Sequence, residues 1–107
     1  MARAMVSRRL LDNGTVVLEL RGELDVAVDN ALRDVLEQTI RIQRPPSVVV
    51  DMRHVTFVDS TGMGALVAGL NEARTHQVRF SVQAVAPFVE KQLRIAGLYE
   101  TLVSPQE

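Results

Sequence analysis

The spacing of apolar and polar positions changes several times along the chain, and each change predicts an element. Ala4 to Leu11 predicts a first strand. Asp12-Asn13-Gly14 closes it as a hairpin turn, because Asn-Gly accepts the positive φ angles that tight hairpins need. Thr15 to Arg21 returns as a second strand, with Val17 alternating imperfectly against Glu19, and Gly22-Glu23-Leu24-Asp25 ends it. From Val26 to Gln43 the period is helical. Val28, Leu32, Val35, Leu36, Thr39 and Ile40 share one face, and Asp25 is the candidate N-cap. Arg44-Pro45-Pro46 breaks this helix. Ser47 to Met52 is a continuous apolar run, which fits a strand buried on both faces of a sheet.

A further strand-like run ends at Asp59, and residues 60–75 predict a second helix. Val78 to Val85 predicts a strand, with Phe80 and Val82 alternating against Arg79, Ser81 and Gln83. Pro87 opens a third helix at a position where its missing N–H is harmless, and Gly97 closes it. Residues 99–104 predict a short last strand or an irregular tail. Strand–helix alternation after the first hairpin implies parallel pairing through right-handed crossovers. The expected fold is one α/β domain over residues 1–107. Its small mixed sheet is mostly parallel, with an antiparallel N-terminal hairpin, and three or four helices cover it.

The helix over 60–75 is unusual. It carries Gly62, Gly64 and Gly69, and no charged residue stands between Asp59 and Glu72. Each glycine inside a helix costs about 0.8–1.0 kcal/mol relative to alanine. A 3.6-residue repeat puts Met63, Leu66, Val67 and Leu70 on a core face. Ala65, Ala68 and the glycines are left for the outer side. The expectation is a smooth, weakly apolar surface that another molecule approaches closely, with the hydroxyls of Ser60 and Thr61 at its rim. A Ser or Thr at a helix start commonly caps it, and Asp59 could do the same. The same position also suits a phosphate, because free N–H groups and the helix dipole favour an anion there. Phosphorylation adds about −1.5 to −2 charges. A partner packed over the patch would not tolerate that charge, so the arrangement fits a switch that binds unmodified and releases when phosphorylated.

Composition narrows the alternatives. The 107 residues are 47% hydrophobic and 23% charged, enough apolar material for one core. Twelve Lys and Arg against 13 Asp and Glu leave a net charge of −1, with no basic patch to displace phosphate counterions, so nucleic acid is not an expected partner. Cysteine is absent, which excludes disulfides, thiol nucleophiles and Cys-based zinc sites. The N-terminus has no apolar segment of a signal peptide, and no apolar run is long enough to span a membrane. A cytoplasmic protein without membrane contact is expected.

Motifs for enzymatic chemistry are incomplete. Gly62 and Gly64 begin a G-x-G-x-x-G spacing, but Val67 stands at its third glycine. No GK[ST] of a P-loop exists, and Val58 breaks the G-x-S-x-G of a nucleophile elbow around Ser60. His54 and His76 are isolated, and no His or carboxylate cluster has metal-ligand spacing. No catalytic residue, cofactor or metal is expected.

The stretch VVVDMRHVTFVDSTGMGALV (residues 48–67) is similar to the signature of STAS domains, especially the bacterial anti-sigma factor antagonists. LRGELDVAVDNALRDVL (20–36) resembles the family's second strand end and first helix, and VAPFVEKQLRIAGLYETL (85–102) its late pattern through Pro87, Val89, Leu93, Gly97 and Leu98. The resemblance implies a partner, an anti-sigma factor that is also a serine kinase. Binding it frees a sigma factor, phosphorylation stops binding, and a serine phosphatase restores it. It implies Ser60 as acceptor, with Thr61 as fallback. It places Asp25 and Asp59 near the docking surface and Asp51 at the end of the central strand. The implied partner-binding set is Asp25, Asp59, Ser60, Thr61, Gly62, Met63, Gly64, Ala65 and Ala68. Val28 departs from the pattern, because family members often carry Ser or Thr there.

Two other readings compete. A STAS domain can serve, unphosphorylated, as a subunit of a lipid-transport ABC complex or of a stress-sensing assembly. The glycine-rich turn could instead belong to a small nucleotide-binding protein, against which the broken fingerprints stand.

Overall fold

The computed structural model describes residues 5–103. Ala4 and Ser104, at the margins of the expected first strand and tail, lie outside them. The elements run β1 (Met5–Leu10), β2 (Val16–Leu24), α1 (Asp29–Gln38) continued by a π-helical turn (Thr39–Gln43), β3 (Ser47–Val58), α2 (Ser60–Thr75), β4 (Arg79–Gln83), α3 (Pro87–Ile95) and α4 (Tyr99–Val103). The sheet order is β1-β2-β3-β4. β1 pairs antiparallel with β2, and β2–β3 and β3–β4 are parallel. This is the mixed α/β architecture expected from the periodicity. At the hairpin, Gly14 takes φ +90° and its N–H donates to the Leu11 carbonyl at 3.0 Å.

The core joins one face of the sheet to the helices. Val48, Val50, Met52, Val55 and Val58 of β3 are buried with Leu32 and Leu36 of α1, Leu66 and Leu70 of α2, and Val89 and Leu93 of α3. β3 is not buried on both faces, as the apolar run predicts. Val49 and Asp51 on its other face are half-buried and Arg53 is exposed.

β3 also runs six residues past Met52. Its pairing with β2 slips twice, so that Glu19 faces Asp51 but Arg21 faces His54, and Gly22 faces Val55 but Glu23 faces Phe57. Each slip inserts an extra β3 residue, a bulge that breaks the two-residue period and makes one strand read as two separate runs. Asp51 therefore does not end the strand. It stands at the first bulge, where its Oδ1 accepts the Arg53 N–H at 2.9 Å. β2 likewise continues through Gly22, at φ +93°, to Leu24 instead of ending at Arg21.

The last element is a helix where a strand or tail is expected. Leu98 N–H donates to Leu93 O at 2.9 Å and Gly97 N–H to Arg94 O at 3.0 Å, with Gly97 at φ +75°, a Schellman stop for α3. The chain then turns so that Leu98 and Leu102, one helical turn apart, pack on the core, while Tyr99 lies 3.9 Å beneath the Arg94 guanidinium.

α1 and α2 run side by side in the same direction. Arg33 adjoins Gly64, Leu36 adjoins Gly69, and Arg41 pairs with Glu72 at 3.1 Å. Both helices thus begin at the carboxyl ends of the strands that precede them, where ligand and partner sites of open α/β sheets collect.

Candidate docking and phosphoacceptor site

Asp59 links β3 to α2 in extended conformation and is the helix N-cap. Its Oδ1 accepts two bonds, from the Gly62 N–H at 3.0 Å and from the Thr61 hydroxyl at 2.6 Å. These bonds favour the ionised form. The Thr61 hydroxyl first, and the Gly62 N–H second, hold the Asp59 carboxyl below the usual carboxylate range, against partial desolvation. The Asp59 N–H donates to the Leu24 carbonyl at 3.1 Å and ties the end of β2 to the start of α2. Ser60 is the first residue of α2. It is exposed, and its hydroxyl makes no hydrogen bond among the described residues.

The three glycines of α2 have three different surroundings. A Cβ on Gly62 would stand 2.2 Å from the Leu24 carbonyl oxygen, well inside contact distance. Glycine there lets the helix start against the backbone of β2. A Cβ on Gly69 would meet Leu36 Cδ1 at 3.0 Å and the Phe80 ring at 3.2 Å, so this glycine makes room for the core. Gly64 faces outward, and the Nη2 of Arg33 occupies the space a side chain would take, 3.1 Å from its Cβ position. Two of the three glycines therefore answer to packing within the chain, not to a partner.

The buried face of α2 is Gly62, Ala65, Leu66, Gly69, Leu70 and Ala73. Ala65, expected on the docking side, is fully buried, and Gly62 is buried too. Met63, expected on the core face, is half-buried and packs against the edge of the core, whereas Val67, expected there too, and Ala68 are half-buried outside it. The face is turned because α2 packs against the sheet and, along its side, against α1. Close approach selects the small residues for the inside, the reverse of a ranking by hydrophobicity.

Asp25 does not cap α1. Its Oδ1 accepts the Ala27 N–H at 3.0 Å inside a turn, and α1 starts at Asp29 after Val28, which caps nothing with its side chain. The β2 strand extends further than its pattern suggests, so the turn, not the helix, falls at Asp25. The residue still belongs to this end of the molecule, directly after Leu24, which accepts from Asp59.

Residues beyond the expected partner-binding set complete the site. Phe57, Gln92, Ile95 and Ala96 line a shallow groove with Asp59, Ser60 and Met63, between the start of α2 and the end of α3. Gln92 Oε1 accepts the Val58 N–H at 3.3 Å and fixes α3 there. Ile95 is 78% exposed. Its signal in the sequence is an apolar residue off the Val89–Leu93 face of an otherwise polar helix surface. Among the described residues, no three potential metal ligands stand together and no helix is long and apolar enough to cross a membrane.

The STAS domain family model matches residues 10–106. The chain is 28% identical over 89 residues to the anti-sigma-F factor antagonist RsfB of Mycobacterium tuberculosis, covering 83% of this chain and 71% of that one. An anti-sigma factor antagonist from Mycobacterium paratuberculosis superposes with a TM-score of 0.83 at 25% identity, over 97% of this chain and 87% of the other. The anti-sigma factor antagonist SpoIIAA in its unphosphorylated form has the same fold, with a TM-score of 0.76 at 22% identity, over 96% and 90%.

Proposed function

The chain belongs to the STAS domain family, and we propose that it is an anti-sigma factor antagonist switched by phosphorylation of Ser60. Its partner is an anti-sigma factor of the serine-kinase type, which releases its sigma factor when this protein binds. A serine phosphatase returns the modified form to service, and the exchange takes place in the cytoplasm. The names of its relatives support antagonism of an anti-sigma factor. The observation that carries the switch is local: of two adjacent hydroxyls, Thr61 is committed to Asp59, while Ser60 is exposed at the rim of the groove.

The chemistry is a phosphoryl transfer. The Ser60 Oγ attacks the γ-phosphorus of ATP, the bond from that phosphorus to the bridging oxygen breaks, ADP leaves, and the hydroxyl proton passes to a base of the kinase. The unmodified face offers Met63, Phe57 and Ile95 for burial. A phosphate at its edge brings about −1.5 to −2 charges, which a closely packed apolar interface would have to desolvate. Asp59, whose hydrogen bonds favour its charged form, already sits beside it. The unmodified form therefore docks and the phosphorylated form is rejected.

Peptide mass spectrometry after incubation with ATP and a serine-kinase anti-sigma factor from the same cell tests this. One phosphoryl group on Ser60 is expected. Binding without any phosphorylation would instead identify an unphosphorylated STAS subunit.

A further inference from the structure

We propose that Arg33 is the internal counter-charge for a phosphate on Ser60, held in reserve by Asp29 while Ser60 is unmodified. This rests on Ser60 being the acceptor and goes further, to the group within the chain that receives the phosphate. Arg33 belongs to α1, and its Nε donates to Asp29 Oδ1 at 2.9 Å, one helical turn back. The other end of its guanidinium reaches across to α2, where Nη2 lies 3.1 Å from the Cβ position of Gly64.

Ser60 and Gly64 are four residues apart on α2, so their Cβ positions are about 5–6 Å apart. Helical Cβ atoms lean toward the N-terminus, so the space at Gly64 that Arg33 fills overhangs the turn that Ser60 opens. The phosphate oxygens extend a few ångströms beyond the serine Cβ, and the arginine tip moves by rotation about its own side-chain bonds. The proposed meeting of the two groups calls on side-chain rotation, not on backbone movement. Arginine offers five N–H donors in a planar fork that suits a phosphate, and the bond to Asp29 uses Nε and leaves the Nη edge available.

Gly64 is not required by the core or by a positive φ, unlike Gly62 and Gly69, which sit against their own chain. A side chain there would fill the place where the guanidinium lies. The charged groups at this end include Asp59 before Ser60, Asp25 in the turn after β2, Glu23 opposite Phe57, Lys91 beside Gln92 on α3, and Asp29 and Arg33 on α1. The carboxylates repel a phosphate dianion and Arg33 opposes them. Phosphorylation then trades one partner of Arg33 for another, which leaves Asp29 to water and alters two charged groups as well as adding one.

The test uses the full chain with phosphoserine incorporated at position 60 by an expanded genetic code. It needs no kinase or anti-sigma factor, so failure of the partner assignment would not affect it. Phosphorus NMR follows the second ionisation of the phosphate, and nitrogen-edited NMR follows the Arg33 Nε–H. In the otherwise native chain that ionisation is expected roughly half a pKa unit or more below its value in Arg33→Gln. Arg33→Lys should restore part of the shift, and the Arg33 Nε–H resonance should move on phosphorylation. Asp29→Asn, which frees Arg33 without removing it, should lower the phosphate pKa further and provides a second reading if Arg33→Gln fails to fold. Equal phosphate pKa values across these variants, with an unmoved Arg33 resonance, would overturn the proposal.

Discussion

The Thr61 hydroxyl donates to Asp59 Oδ1 at 2.6 Å, while the hydroxyl of Ser60, one residue earlier, makes no hydrogen bond among the described residues. The two neighbours are thus chemically unequal. Thr61→Ala should still accept phosphate on Ser60 but lose about 0.5–1.5 kcal/mol of stability with the lost bond. Ser60→Ala should accept none and stay within about 0.5 kcal/mol of the native stability, as a surface substitution does. Urea denaturation and peptide mapping measure both.

Gly62 and Gly64 should respond in opposite ways to the same substitution. Gly62→Ala drives a methyl group into the Leu24 carbonyl and should destabilise by roughly 1–3 kcal/mol, as overpacking does. Gly64→Ala gains up to about 1 kcal/mol of helix propensity and displaces only the flexible end of Arg33, so its urea midpoint should match or exceed the native one. Equal loss in both would mean that α2 does not lie against β2 as described.

Met63 and Ala65 separate docking from folding. Met63→Arg can keep its charge in water while giving up part of the packing of a half-buried side chain, so it should stay folded at a cost of about 1 kcal/mol and weaken partner binding at least tenfold. Ala65→Arg places a charge in a fully buried position beside the sheet and should prevent folding. Circular dichroism and binding titrations distinguish the two effects.

Acid should weaken the fold through Asp59 and Glu72. Both carboxyls are held below their ordinary range, Asp59 by the Thr61 hydroxyl and then the Gly62 N–H, Glu72 chiefly by its hydrogen bond from Arg41, with a further bond to His76. A depressed carboxylate pKa stabilises the native state above the unfolded pKa of about 4, and that contribution is lost as pH falls through the native value. Asp59→Asn retains an N-cap that does not titrate. Its urea midpoint should therefore fall less than the native one between pH 7 and pH 3, and Glu72→Gln should flatten the same limb.

The order of elements through α3, the parallel sheet with its antiparallel edge and the stop of α3 at Gly97 were legible because periodicity and turn residues are local properties. The length of β3 was not, since two bulges at Asp51 and Val55 break the alternation on which strand recognition depends. The orientation of α2 was not either. Its amphipathic pattern is weak because glycine and alanine, not leucine alone, face the interior, and only the positions of Leu24, Leu36 and Phe80 explain why. At the site, Asp59 and Ser60 stood out from the motif. Ile95 and Arg33 did not, because they reach the start of α2 from elements remote in sequence, and Phe57 did not, because the bulge after Val55 hides which side of β3 it takes.

Ser60 is proposed to switch the protein between bound and released states. Isothermal titration of a serine-kinase anti-sigma factor with this protein, unmodified and carrying phosphoserine at position 60, tests it most directly. Tight binding is expected of the unmodified form, and an affinity at least a hundredfold lower of the phosphorylated form, with Ser60→Glu in between. Equal affinity of the two forms for a partner that binds well would contradict it.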